Sequence, residues 1–200
     1  MAFRYPNGKK YLPSAKDKKR KPLPVSAKDY ANRGMSLEED INATNEYYLE
    51  MNIAVIHKKP TPVQIVHVDY PSRSAAKITE AYFKQASTTD YNGLYQGRYI
   101  DFEAKETRNK TSFPMRNIHD HQVLHMKRII AQGGIAFLLV RFTLLEEVYF
   151  FEARHFLDWY DNSEARKSIP KSAFEENGYL VPQSYQARVD YLQIIDSHYS

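Results

Sequence analysis

The chain has 200 residues, no cysteine, 42% hydrophobic and 26% charged side chains, and a formal net charge of +4. That length supports one medium domain with its own core, and the lack of cysteine excludes disulfides, thiol nucleophiles and cysteine-ligated zinc. No run of eighteen apolar residues marks a membrane span, and no apolar segment follows the N-terminal charges as a secretory signal requires, so a cytoplasmic, nucleoid-associated location is expected.

The charge is unevenly placed. Residues 1–33 carry ten Lys and Arg against Asp17 and Asp29, a net +8, so the other 167 residues carry −4. Residues 1–31 also hold Pro6, Pro13, Pro22 and Pro24 and no apolar period. They read as a disordered basic arm suited to phosphate contacts, with a solubilising tail as the alternative.

Order is predicted from residue 32 to residue 200. Ser36 and Glu39 make a capping box, and Leu37, Ile41, Thr44 and Tyr48 recur at helical spacing, so a helix should span about 36–51. Ile53–His57 reads as a short strand, interrupted by Lys58-Lys59-Pro60-Thr61-Pro62. Val63–Val68 reads as a second strand, closed by Tyr70-Pro71. Residues 72–86 fit strand or helix. Two further strands are predicted at about 86–91 and 98–106, around Asn92-Gly93 and Gln96-Gly97. A helix over about 118–132 should start at Asn117 and end at Gly133-Gly134. Ile135–Phe142 is nearly all apolar and reads as a central strand buried on both faces, with Glu147–Glu152 as its antiparallel partner. Two or three helices follow, the last near 188–198. The sum is an α/β fold with a mixed central sheet flanked by helices.

The chemistry concentrates in Thr88-Thr89-Asp90 and Tyr99-Ile100-Asp101-Phe102-Glu103-Ala104-Lys105. Alternate strand residues share a face, which puts Ile100, Phe102 and Ala104 on a core side and Tyr99, Asp101, Glu103 and Lys105 on the other. A hairpin can bring Asp90 beside Glu103. Paired carboxylates suit Mg²⁺, which activates water and neutralises charge on phosphoryl oxygens, and a neighbouring lysine can stabilise the transition state. The alternative is a solvated strand face with a Glu–Lys pair.

Asp90 followed by Glu103-Ala104-Lys105 resembles the Asp…Glu-x-Lys signature of restriction-endonuclease-like nucleases. Longer blocks narrow the resemblance. Arg4–Lys9, Asn32–Met35, Ile53–Pro62, Tyr82–Gln85, Ser87–Tyr91 and Phe102–Thr107 together resemble the RecU family of Holliday junction resolvases. The resemblance implies a restriction-endonuclease-like fold with a protruding stalk at about 58–85. It implies metal ligation by Thr88, Asp90, Glu103 and Gln122, with Mg²⁺ as the cofactor and Mn²⁺ as a substitute. Lys105 would be the transition-state stabiliser beside the catalytic carboxylates Asp90 and Glu103. The implied activity is resolution of four-way junctions by paired symmetric cuts in recombination and repair. The implied partners are branched DNA, a second copy of the chain, and recombinase and branch-migration proteins.

The basic and aromatic residues of 57–85, among them Lys58, Lys59, Arg73, Lys77, Tyr82 and Phe83, suit phosphate contact and base stacking. The alternative is a peripheral hairpin with its aromatics packed into its own base. Glu38 resembles a helix carboxylate of related resolvases, or belongs to a solvated first turn. His121 and His125 at i, i+4 lack a third zinc ligand and read as a surface or DNA-proximal pair. Two rival functions stay open: a non-catalytic junction-binding recombination accessory protein, and a nuclease of the same fold acting on linear duplex.

Overall fold

A computed structural model describes residues 36–84, 88–162 and 166–199. The basic arm, the Arg4–Lys9 and Asn32–Met35 blocks, Gln85 and Ser87 lie outside the described residues. Along the chain come α1 (Leu37–Glu50), β1 (Val55–Lys58), β2 (Val63–Asp69), β3 (Lys77–Phe83), β4 (Tyr91–Tyr95), β5 (Arg98–Thr107), β6 (Ser112–Pro114), a 3₁₀ turn (Met115–Asn117), α2 (Asp120–Ala131), β7 (Ile135–Phe142), β8 (Glu147–Glu152), α3 (Ala153–Asp161), β9 (Ser168–Pro170), α4 (Lys171–Asn177), β10 (Tyr179–Leu180) and α5 (Leu192–His198). Two units are distinct: hairpin residues 62–84, and a body formed by the remaining described residues. No helix among the described residues is long and apolar enough to cross a membrane.

In the body a six-stranded sheet runs β1-β4-β5-β7-β8-β10. Only β5 and β7 pair in parallel, and their connection runs through α2, as a parallel pair requires. The predicted mixed α/β architecture is therefore the observed one. Ser36 caps α1 as expected: its hydroxyl accepts the Glu39 N–H, and Glu39 accepts the Ser36 N–H at 2.8 Å.

Sheet alternation separates two cores. Leu37, Ile41 and Tyr48 of α1 pack with Ile100, Phe102, Phe137, Phe150 and Tyr191 on one side. Val123 and Met126 of α2 pack with Leu138, Val140, Phe151, Phe156 and Phe174 on the other. The first core contains a run of stacked rings: Tyr91 on Phe102 at 4.8 Å, Phe102 on Phe137 at 4.8 Å, and Phe137 on Phe150 at 4.1 Å between centroids. A one-residue slip would turn these rings to the opposite face, so the run pins the β4–β5 register at Tyr91↔Phe102. That register sets Asp90 opposite Glu103.

Several boundaries differ from the sequence expectation. β4 begins at Tyr91 rather than near 86, and Asn92-Gly93 lies inside it. A Cβ at Gly93 would stand 2.1 Å from the Val55 carbonyl oxygen of β1, so this glycine serves close strand approach and not a turn. The turn is Gln96-Gly97, with φ of 47° and 77°, the signs a two-residue hairpin loop favours. The second helix starts after His119 and not Asn117, because Met115–Asn117 winds into the 3₁₀ turn. The ambiguous segment 72–86 contains β3, and the β6–β9 pair and β10 had no signal in the pattern.

In the hairpin, β2 and β3 pair from Val63↔Phe83 to Asp69↔Lys77, with irregularities around His67. All its described residues are exposed. Tyr82 at 61% and Phe83 at 84% exposure are not packed into a base.

Candidate active site

Strand β5 carries the site on the side facing away from the Phe102 core. Helix α2 packs over β5 and β7 on that side, so the alternating polar face is covered rather than solvated. Asp101 and Glu103 have no exposed surface. Burying two carboxylates is costly unless each is paired and hydrogen-bonded, and both are.

Glu103 accepts the backbone N–H of Asp90 at 3.0 Å and the Lys105 ammonium through its other oxygen. The Lys105 Nζ also lies 3.9 Å from the Asp90 carboxylate, which is partly open to solvent. Burial pushes the Glu103 carboxyl up to about 7; Lys105 opposes that rise and the Asp90 charge adds to it. The structure thus brings together the three residues that spacing selected, Asp90, Glu103 and Lys105. Beside them is a cavity of about 250 Å³ lined by Asp90, Lys105, Glu106 and Glu38, among others. Glu38 is paired with Lys58, so the helix carboxylate stands at this site on α1.

Thr88 and Gln122 have local partners. The Thr88 hydroxyl donates to the Thr89 carbonyl at 3.2 Å. Gln122 is buried in the first turn of α2, where its Oε1 accepts the His119 N–H at 2.9 Å. A hydroxyl keeps two acceptor lone pairs and an amide oxygen a second one, so both retain capacity to face a cation. Among the described residues no group of three or more His, Asp or Glu side chains is spaced to hold a metal ion. A carboxylate pair supplemented by neutral oxygens would be a hard-oxygen donor set of the kind that suits Mg²⁺.

The structure also shows a hub that the sequence did not single out. Asp101 Oδ2 accepts from Lys59 Nζ at 2.7 Å, His125 Nε2 at 3.1 Å and the Tyr99 hydroxyl at 3.2 Å. Its Oδ1 accepts from the Thr89 hydroxyl. Lys59, expected among the DNA contacts, is thus turned to Asp101 and Thr89, and its side chain is 18% exposed. His121 and His125, expected as a surface or DNA-proximal pair, are both partly buried. His125 holds Asp101, and the buried His121 Nε2 has no hydrogen-bond partner among the described residues. Alternation along β5 was the one signal for Asp101. Nothing in the sequence linked it to Lys59 or His125, which lie 42 and 24 residues away.

The family model for recombination protein U matches residues 32–197. The chain belongs to the RecU family. Over its whole length it is 59% identical to a Holliday junction resolvase RecU of Geobacillus kaustophilus, covering 98% of that protein. It is 57% identical to the protein of the same name from Geobacillus thermodenitrificans, again covering 98%. The corresponding Bacillus cereus protein is 55% identical and 99% covered. Among solved structures, the Archaeoglobus fulgidus Holliday junction resolvase Hjc aligns with 70% of this chain and 93% of its own, at 10% identity and a TM-score of 0.40. Membership of the RecU family was the reading drawn from the motif blocks, and it holds.

Proposed function

We propose that this chain is a Mg²⁺-dependent, structure-selective endonuclease that resolves Holliday junctions by paired symmetric cuts, acting as a homodimer in recombination and repair. The observation that carries the reading is the Asp90–Glu103–Lys105 cluster: a buried carboxylate with a raised proton affinity, a second carboxylate opposite it, and an ammonium between them. The full-length relatives named Holliday junction resolvase RecU support the choice of substrate.

Asp90 and Glu103, with Thr88 and Gln122 as neutral oxygen donors, would hold the cation. When bound, Mg²⁺ supplies charge neutralisation and an activated water for phosphodiester hydrolysis. The chain's own residues do the rest. Lys105 Nζ, held against Glu103 and near Asp90, keeps a positive charge where the pentavalent phosphoryl oxygens gather negative charge. The Asp90 N–H to Glu103 bond holds the two carboxylate-bearing segments in register. Arg73, Lys77, Tyr82 and Phe83 of the exposed hairpin offer phosphate contact and stacking surface to the unpaired centre of a junction. Lys58, paired with Glu38, stands at the edge of the site. A twofold dimer presents two identical sites, as two cuts in strands of like polarity require.

The test is cleavage of a synthetic four-way junction in Mg²⁺ beside a linear duplex of the same sequence. Paired cuts in the junction, with the duplex spared, are expected. Equal cleavage of both would make the chain a general nuclease, and tight binding without cleavage would make it a non-catalytic accessory protein.

A further inference from the structure

Asp101 shares a strand face with Glu103 and Lys105 but is a different kind of carboxylate. Glu103 receives one backbone N–H and one ammonium. Asp101 receives four side-chain donors: Thr89, Lys59, His125 and Tyr99. Three of these donors meet Oδ2 and one meets Oδ1, and with no exposed surface Asp101 is enclosed by protein groups rather than open to a ligand.

Those donors come from separate segments. Lys59 follows β1, and its backbone N–H also donates to the Asp90 carbonyl at 2.7 Å. Thr89 lies between Thr88 and Asp90. His125 is on α2, three residues beyond Gln122 and on the same side of the helix. Tyr99 is on β5 and is itself held by Asn92 of β4 at 2.9 Å. One buried charge thus binds the two segments that bear Thr88, Asp90 and Gln122, and the segment after β1, to the strand that bears Glu103 and Lys105.

We propose that Asp101 is the positioning residue of this site, fixing the 88–90 segment and helix α2 against β5 so that Asp90, Glu103 and Gln122 face one cation. The proposal rests on the metal-dependent nuclease reading. It makes Lys59 and His125 parts of the scaffold, with Lys59 closing the Asp90 segment from both its ammonium and its backbone N–H. Outer partners that orient metal-bearing groups are worth about 10–100-fold in metal affinity or activity when removed.

The experiment uses the full chain and two variants. Asp101→Asn keeps the size and removes the charge; Thr89→Val keeps the shape and removes one donor, and is the fallback if Asp101→Asn does not fold. Two quantities are measured in each: Mn²⁺ affinity by calorimetry, and amide hydrogen exchange of the metal-free protein. Mn²⁺ affinity should fall about 10–100-fold in Asp101→Asn and less in Thr89→Val. Exchange should quicken at the amides of Lys59 and Asp90, while β7 amides stay as in the wild type. A folded Asp101→Asn protein with wild-type exchange at those amides and wild-type Mn²⁺ affinity overturns the proposal, as does a variant whose only defect is a lower melting temperature. If wild-type protein fails to bind Mn²⁺, or Asp90→Ala binds it as well as wild type, the metal reading fails instead. The exchange measurement then still decides whether Asp101 holds the Asp90 segment.

Discussion

Strand β5 and the β2–β3 hairpin both mix charged and apolar residues along extended chain, and they end in opposite states. On β5, Asp101 and Glu103 are sealed between the sheet and α2. In the hairpin every described residue stays exposed, including Ile65, Ile78, Tyr82 and Phe83. The difference is the third layer. A two-stranded ribbon has no sheet neighbour to extend its core and is marginal by itself, so its apolar groups remain available to a ligand. A central strand is covered on both faces, so its charges survive only by pairing with each other and with donors from distant segments. In the proposed function, chemistry in the buried region would depend on geometry, and recognition in the exposed region on surface.

The sharpest break between the two regions is functional. Asp90→Ala or Glu103→Ala should abolish junction cleavage in Mg²⁺ while gel-shift affinity in Ca²⁺ stays near wild type, because in the proposed function these groups position a cation rather than hold DNA. Measurable wild-type turnover in either purified variant removes the site from the chemistry. Next in size, Lys105→Ala should lower the single-turnover rate by roughly 10²–10³ with affinity little changed. A loss seen only in binding would reassign Lys105 as a phosphate anchor.

The hairpin should behave in the reverse manner. Replacing residues 64–82 by a tight turn should leave the melting temperature and the metal response near wild type. Preference for a four-way junction over duplex should drop by one to two decades, the scale of about 1–3 kcal/mol per stacked base. Competition binding in Ca²⁺ measures it, and a full junction preference in the shortened protein would move selectivity to the dimer geometry.

The smallest effect concerns pH. Folded Glu103 holds its proton up to about 7, whereas an unfolded carboxyl releases it near 4.5. Between those values the folded state binds more protons, so the metal-free protein should lose stability as pH rises through that window. This is the reverse of an exposed, ion-paired carboxylate. Glu103→Gln removes the group, so its melting temperature should decline less than wild type from about pH 5 to about pH 8. Parallel curves for the two proteins would show that Glu103 does not titrate as its burial demands. The hairpin has no comparable buried carboxylate, and Glu80→Gln serves as the unaffected control.

Much of the body was readable from local pattern. The Ser36–Glu39 box, the apolar run of β7 and the alternation of β5 are local facts, and each led to the right element. The Asp90, Glu103 and Lys105 trio was readable because strand alternation places residues by parity. Asn92-Gly93 misled because a glycine needed for close packing under β1 looks the same in sequence as one needed for a turn. The start of α2 was misplaced because a 3₁₀ turn and a helix share their first-turn signals.

By itself the sequence determined the element types, the mixed sheet, the family and the grouping of Asp90, Glu103 and Lys105, since all of these follow from short-range spacing or from long shared blocks. The tertiary structure alone decided that the β5 polar face is buried and not solvated, that Lys59 turns inward to Asp101, and that His125 completes the same hub. Those outcomes depend on which segments meet across 24 to 42 residues of chain. Such meetings are set by the core that aligns the strands and by the high cost of leaving a buried charge unpaired, neither of which any local pattern encodes.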